Sequence, residues 1–433
     1  MDKLVIHGGT PLSGEIVPAG NKNAALPELA ACLLTDEELV LSNVPRIRDT
    51  EAQIALLERL GVKVHWSGEN EIRLQADAVT DTEVDEELAA RIRASFLLAG
   101  PLLARFGQAR MPPPGGDFIG RRRLDPHLDA FRDMGAQVEG ERWIEVFARD
   151  GALKPCRIFM DEPSVMATEN ALMAAALTEG PTTIANAACE PHVQDLARLL
   201  VKMGARIDGI GSNVVTVHGR DRLGGAEHRI CPDHIEVASF MALAAATKGE
   251  LRVRDAEPED LVMIRRQFRR LGLQSMVEGN DVLVPPEQVL KIRSDLGEAT
   301  PKIEDGPWPA FPADLTSIAL ALATQADGEI LIFEKMFENR LFFVDKLVAM
   351  GARITLCDPH RAIVYGPSRL HGERVDSPDI RAGMAMLIAA LSAEGTSEIG
   401  NVTQIDRGYE RIDLRLRDLG ARIERVSTQP VPA

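Results

Sequence analysis

Along this chain, apolar positions recur at helical spacing, stop at a glycine and resume at a spacing of two, and the phrase returns six times. It reads LERLGVKVHW around Gly61, FRDMGAQVEG around Gly135, LVKMGARIDG around Gly204, FRRLGLQSMVE around Gly272, LVAMGARITLC around Gly351 and LRDLGARIERV around Gly420. The intervals between these glycines are 74, 69, 68, 79 and 69 residues. Each phrase predicts an amphipathic helix, a left-handed cap at the glycine, and a strand leaving it, as at Ala205 and Ile207 with Arg206 between. A second phrase alternates with the first: an Ala- and Leu-rich helix, a glycine or acidic turn, then a strand, at residues 29–44, 171–187, 242–256, 319–335 and 388–402.

One such unit of about 70 residues is too small to bury both of its faces alone, so six of them predict an α/β protein of two domains, three units in each. The candidate seams are the turn at Gly20 to Asn23 and the segment Arg229 to Pro232. A strand at Lys3 to His7 precedes the first unit and is expected to pair with the carboxy-terminal half. The expected division is a discontinuous domain of residues 1–21 and 232–433, and a second domain of residues 22–231 carrying a loop at 111–120.

Composition narrows the function. With 433 residues, 45% hydrophobic and 26% charged, the chain excludes disorder and collagen-like structure. Forty-nine Lys and Arg against 65 Asp and Glu leave a net charge of −16, the wrong sign for nucleic acid or an anionic bilayer, so neither is an expected partner. An anionic ligand therefore needs a local basic cluster. Five widely separated cysteines with no CxxC pair argue against a disulfide framework or zinc cage and for the cytosol. No secretion signal opens the sequence, and the longest apolar stretch, Phe96 to Phe106, contains Gly100, Pro101 and Arg105, so no span is expected. The set Cys231, Asp233, His234 and Glu236 lacks a second cluster and reads as a turn and helix start, so no metal is expected. No GxGxxG after a strand, GxxxxGK[ST] or GxSxG supports a nucleotide cofactor or serine hydrolysis.

What remains is a set of cations beside glycines or at helix starts, where backbone N–H groups can also face an anion. In GNKNAALPE, Lys22 and Asn23 either meet a phosphate or carboxylate at the helix start, or serve as a solvated lysine beside a cap. The loop MPPPGGDFIGRRRLDPH has three prolines and two adjacent glycines before Arg121, Arg122 and Arg123, which form either an anion clamp or a solvated run. Asp117 lies within it, and desolvation by Phe118 in a closing loop is expected to raise its pKa towards that of a proton donor. Arg48, Arg93, Asp314, Arg340, Asp379, Arg381 and Arg407 are scattered further along and are individually uninformative.

Taken together and in order, the segments GGTPLSGEIVPAGNKNAALPELAACLL, RIRASFLLAGPLLARFG, PGGDFIGRRRLDPHL, EPSVMATENALMAAA, FPADL, FENR, SPDIRAG and IDRGYERI resemble the enolpyruvyl transferases nearly end to end. Within that family they are most similar to the branch acting on UDP-N-acetylglucosamine, since the shikimate-pathway branch usually has a serine-rich entry at GNKNAALP. The resemblance implies two inside-out α/β barrels of three βαβαββ repeats each, with the active site in the cleft between them. It implies transfer of the enolpyruvyl group of phosphoenolpyruvate to the 3-hydroxyl of a UDP-sugar, with release of phosphate through a tetrahedral adduct and no metal or organic cofactor. This would be the first committed step of peptidoglycan precursor synthesis. Other implied possibilities are a paralogue using a different nucleotide or nucleotide sugar, and an inactive ligand-binding homologue.

By the same resemblance, Lys22, Arg122 and Arg407 would hold phosphoenolpyruvate, and Arg93 and Arg381 would serve the same anion site or its closure. Asn23 and Asp314 match sugar-contacting positions, with Asp314 the candidate base for the 3-hydroxyl. Arg122, Arg123, Leu124 and Asp125, with Ser164, Val165 and Met166, match the uridine and diphosphate contacts, and Met336, Arg340 and Asp379 complete the substrate set. The chain departs from the family's pattern at five positions. Arg48 replaces a lysine, Met166 a glycine, Arg123 a proline and Pro126 a leucine, while Asp117 stands where a cysteine usually donates a proton and is alkylated by fosfomycin. A carboxyl group can act as the acid but is a poorer soft nucleophile, so fosfomycin insensitivity is expected.

Overall fold

Six helices of the described chain have almost no polar face, and that fixes where they go. Every residue of His234–Ala246 and of Thr316–Ala323 is buried, as are nearly all of Ile380–Ser392, Lys22–Ala31 and Val165–Ala176. A helix that is apolar all round is stable only when surrounded by other protein. The sixth, Ala99–Phe106, lies in the stretch that the repeating phrase missed because Gly100 and Pro101 interrupt it. Pro101 falls in the first turn, where its missing N–H costs nothing. Gly100 is required: its N–H donates to Asn170 Oδ1 at 2.8 Å, and a Cβ there would lie 2.6 Å from the Asn170 carbonyl oxygen.

The computed structural model describes residues 2–117, 119–149 and 151–427. The described residues of 1–19, 118–121 and 232–433 form one unit and those of 20–117 and 122–231 the other. Compared with the expected division, residues 20 and 21 go to the second unit and the short stretch 119–121 to the first. Three of the apolar helices lie in each unit, and buried apolar side chains make one continuous core per unit. Among the described residues each unit also has three sheets, so helices occupy the inside and strands the outside.

One repeat illustrates the βαβαββ order. Lys302–Glu304 precedes the buried helix Thr316–Ala323; Gly328–Phe333 then pairs parallel to the first strand, Lys302 opposite Leu331. The amphipathic helix Val344–Ala349 leads to Arg353–Asp358 at the sheet edge, and Arg361–Gly366 returns between the two, antiparallel to both. The glycines of the six phrases all end such amphipathic helices with φ between 88° and 114°, a conformation that a side chain would strain. In the three-stranded sheet the first strand is reduced to a single bridge, Glu83 with Arg110.

The repeats are permuted across the chain. Asp2–His7 is the returning strand of the last repeat, inserted between Thr396–Gly400 and Arg422–Ser427 with Leu4 opposite both Ile399 and Arg425. Ser13–Ile16 starts the repeat that resumes at Glu250–Val253, and Ala226–Arg229 pairs parallel to Leu39–Ser42. No helix among the described residues is long and apolar enough to cross a membrane. All five cysteines are unbridged.

Because Asp2–His7 is central in its sheet, its inward residues belong to the core: Leu4 and Ile6 are fully buried. An Ile6→Ala substitution is expected to cost about 2–5 kcal/mol in urea unfolding. A loss below about 1 kcal/mol would show that the strand is not integral to the unit.

Candidate active site

The candidate residues sit where the buried helices begin. A helix start leaves backbone N–H groups unpaired and carries a partial positive charge, so a functional side chain there has a directional anchor. In the second unit, Asn21 caps Lys22–Ala31 by accepting from the Asn23 and Ala24 N–H groups at 2.9 and 3.2 Å. The cap is therefore Asn21, which leaves Asn23 half-buried in the first turn. Lys22 is not a solvated neighbour. Its Nζ lies 2.8 Å from Asp49 Oδ2, with the two side chains only 12% and 6% exposed. Asp49 begins the helix Arg48–Leu60 and was missed by sequence reasoning; its only signal was an acidic residue beside a candidate arginine. Arg48 itself points to solvent.

Arg93 opens the short 3₁₀ turn that feeds Ala99–Phe106, and its guanidinium donates to the carbonyl oxygens of Arg122 and Arg123 at 2.7 and 3.2 Å. Burial, and after it the charge of Arg122, pushes the Arg93 pKa down to about 10. Gly115 packs its backbone so closely on Ala90 that a Cβ would sit 1.8 Å from that carbonyl oxygen. Arg122 Nη2 lies against Gly116, and Asp117 follows, half-buried. Phe118, the residue expected to desolvate Asp117, lies outside the described residues.

The three consecutive arginines do not act as one clamp. The Arg121 N–H donates to Glu338 Oε2 at 3.1 Å, and the Ile119 carbonyl accepts from Asn339 N–H at 3.0 Å, both within the first unit. Arg123 is engaged by Asp161 at 2.7 Å and Asp125 at 3.4 Å, which raise its pKa with Asp161 the leading cause. Only Arg122 lies beside the glycine turn.

Leu124 precedes the helix Asp125–Asp133, in which Pro126 occupies the first turn, so the leucine-to-proline departure is compatible with the backbone. Ser164 caps Val165–Ala176 through the Ala167 N–H. Val165 and Met166 then start a regular helix, so position 166 does not demand glycine, and the Met166 side chain packs against the core.

In the first unit the arrangement is tighter. Asp314, in the turn Ala313–Leu315 ahead of Thr316–Ala323, pairs with Arg340 through Oδ1 and with Arg381 Nη2 and Nε through Oδ2, at 2.9 and 3.1 Å. Both arginine side chains are nearly buried, 6% and 4% exposed, against 25% for Asp314. Burial alone would lower the Arg381 pKa; Asp314, then Tyr409 and Asp233, outweigh it and hold the group above its ordinary value. Asp379 caps Ile380–Ser392 by accepting from the Arg381 and Ala382 N–H groups at 2.8 and 2.9 Å. Arg407 Nη1 donates to Gln404 at 3.0 Å.

Met336 and Arg340 share the loop after Gly328–Phe333, which is held by two buried carboxyl groups absent from the sequence reading. Asp305 accepts from the Lys335 and Met336 N–H groups, and Glu334 from Phe337 N–H. Burial, then Asp305, pushes Glu334 up to about 8, so this carboxyl group is largely protonated at neutral pH.

A profile for the family described as EPSP synthase (3-phosphoshikimate 1-carboxyvinyltransferase) matches residues 6–416. A UDP-N-acetylglucosamine 1-carboxyvinyltransferase of Bradyrhizobium diazoefficiens is 57% identical over 424 residues, covering 98% of each chain. One from Treponema denticola is 52% identical over 424 residues, covering 98% of this chain and 99% of its own. Among solved structures, the enolpyruvyl transferase NikO from Streptomyces tendae aligns over 99% of both chains with TM-score 0.87 and 25% identity. An EPSP synthase from Acinetobacter baumannii aligns over 99% of this chain and 100% of its own with TM-score 0.76 and 17% identity, a likeness of fold.

Two buried histidines sit behind these residues and make a pH test. His127 stands edge-on to Phe96 and bonds Asn170 at 2.9 Å; burial, then Arg93, pushes its pKa down to about 3. For His234, burial and Arg381 outweigh Asp314 and push it down to about 4. The unfolded chain takes up these protons near pH 6.5. Stability is therefore expected to fall as pH drops from 6.5 towards 3, by up to about 1.4 kcal/mol per pH unit for each ring. Chemical unfolding of a His127→Gln, His234→Gln double variant checks this: its decline should be shallower than the parent's, and equal slopes would refute the assignment.

Proposed function

The chain belongs to the enolpyruvyl transferase family, and from that premise we propose that it transfers the enolpyruvyl group of phosphoenolpyruvate to the 3-hydroxyl of UDP-N-acetylglucosamine, releasing phosphate. The observation that carries this reading is the 57% full-length identity to a relative named for that activity. In the cell the reaction would open peptidoglycan precursor synthesis, in the cytoplasm.

The chemistry asks for three things. The donor brings a phosphate and a carboxylate and the acceptor a diphosphate, so cations must meet them. Lys22, Arg93, Arg122, Arg340, Arg381 and Arg407 would supply that charge. Asn23, Asp125, Ser164, Val165 and Met166 would contact the nucleotide sugar, with Arg48, Arg123, Leu124, Met336 and Asp379 at its margins. The anchoring carboxylates Asp49 and Asp314 support this role, since a buried cation without a substrate otherwise costs several kcal/mol. Substrate anions would then take over bonds that these carboxylates now hold.

The second requirement is proton transfer. Asp117 would deliver a proton to the methylene carbon of phosphoenolpyruvate as the sugar oxygen attacks C2. Asp314 would accept the 3-hydroxyl proton. The Asp117 carboxylate would then take a proton back from the new methyl group as phosphate departs with the proton held by Asp314, which restores the enol ether. The third is stabilisation of charge on the tetrahedral adduct, which fixed guanidinium groups and helix starts provide without reorganisation.

Asp117→Asn is expected to lower kcat by about 100-fold or more while UDP-N-acetylglucosamine still binds in a calorimetric titration. Unchanged turnover would remove Asp117 from the mechanism. Phosphate release with a panel of nucleotide sugars tests the acceptor: turnover with another sugar but none with UDP-N-acetylglucosamine would overturn the assignment. Incubation with fosfomycin should give no mass adduct in the wild type, whereas Asp117→Cys should gain one on the loop peptide; a stable wild-type adduct at Asp117 would contradict the nucleophilicity argument.

A further inference from the structure

Away from these residues, inside the second unit, three side chains from distant parts of the chain meet under cover. Glu28 comes from the helix Lys22–Ala31, Asp195 from the helix Pro191–Lys202 and His228 from the strand Ala226–Arg229. They are 0%, 4% and 7% exposed. His228 Nε2 lies 3.2 Å from Asp195 Oδ1 and 3.7 Å from Glu28 Oε1, and one ligand atom from each residue falls within 4.8 Å of the others.

Glu28 is the residue that needs explaining. No N–H or O–H donor reaches either carboxylate oxygen, although the side chain is wholly buried and faces both the imidazole and Asp195; burial, then Asp195, holds its pKa well above the ordinary carboxylate range. An unsatisfied carboxylate in such a place is strongly unfavourable. The neighbouring cations do not meet the need. Arg198 lies 3.9 Å from Asp195 Oδ1 and donates to Gln194 at 3.2 Å, and Lys202 donates to the Glu227 carbonyl at 3.2 Å. A neutral imidazole offers one N–H from Nε2 and cannot serve both carboxylates well.

A divalent cation can serve all three. Four-coordinate zinc holds N and O ligands at about 2.0–2.1 Å, which places neighbouring ligand atoms roughly 3.3–3.4 Å apart at tetrahedral angles; the 3.2 and 3.7 Å separations bracket that spacing. Two carboxylates and a neutral imidazole supply two negative charges against the ion's two positive ones. The second oxygen of Asp195 is already oriented by the Cys231 N–H at 2.8 Å, the kind of outer contact that steadies a metal ligand. We infer that Glu28, Asp195 and His228 form a structural site for a divalent transition-metal ion of the zinc class, with a water as fourth ligand. The ion ties the helix that begins with Lys22 to a neighbouring helix and to the strand Ala226–Arg229. Sequence spacing hid it, because the ligands stand 167 and 33 residues apart.

The rival occupant is a proton on Glu28 shared with Asp195, and the experiment separates the two. Full-length protein, stripped with chelator and desalted, is titrated with Zn²⁺ by calorimetry and with Co²⁺ by visible absorption. The expected result is one equivalent of Zn²⁺ bound with a raised thermal midpoint, and a tetrahedral Co²⁺ band. Glu28→Gln and His228→Asn should each weaken Zn²⁺ binding by more than about tenfold and abolish the band, with each variant's fold confirmed by circular dichroism. If the wild type takes up no more Zn²⁺ than the Glu28→Gln, His228→Asn double variant, or if both give the same Co²⁺ spectrum, the site does not exist. A wild type indifferent to Zn²⁺ that is stabilised by Glu28→Gln would assign the proton instead.

Discussion

The whole architecture depends on six helices that cannot tolerate water. Because Lys22–Ala31, Ala99–Phe106, Val165–Ala176, His234–Ala246, Thr316–Ala323 and Ile380–Ser392 are apolar around nearly their full circumference, each unit must wrap them in something else. The sheets supply the wrapping, which puts strands outside and helices inside. Once buried, the sides of these helices do not display charge, and the polar side chains they carry, such as Glu28 and Asn170, are enclosed. Their starts do: Asn21 with Lys22, Arg93, Ser164, Asp314, and Asp379 with Arg381 all stand at or just ahead of a buried helix. The constraint that builds the core thus also decides where charge can be displayed.

The displayed charges are not loose. Lys22 is held by Asp49, and Arg340 and Arg381 by Asp314. A buried cation without a counter-ion is costly, and so is a buried carboxylate, so each needs the other until an anionic ligand arrives. Such pairing keeps the cations ready and ordered in an acidic chain that would otherwise have little to attract an anion with. The same logic holds the supporting loop through Asp305 and Glu334, where burial first, and the acidic neighbour second, push the Glu334 pKa up. It equally frames the cluster of Glu28, Asp195 and His228, where two carboxyl groups meet one imidazole under cover.

Much of this was legible in the chain. The glycine-capped phrases marked the six edge strands, and all six glycines adopt the left-handed conformation that their place at a helix end requires. The pairing of Lys3 to His7 with the far end of the chain followed from a strand left without a local partner. Family motifs pointed to Lys22, Asp314 and Arg381 as polar residues at helix starts. The sequence was weakest wherever the answer was a partner. Arg121, Arg122 and Arg123 look like one cluster in a row of letters, yet they engage Glu338, the Gly116 turn and Asp161 respectively.

The sequence by itself therefore determined the repeats, their caps and the family of chemistry, because these depend on residue types at short, regular spacing, where backbone geometry and burial act locally. Tertiary structure alone decided which carboxylate holds which cation: Asp49 with Lys22, Asp314 with two arginines, Asp161 with Arg123. Electrostatic pairing depends on a few ångströms of separation and on exclusion of water. Both are set only when packing brings together elements tens to hundreds of residues apart.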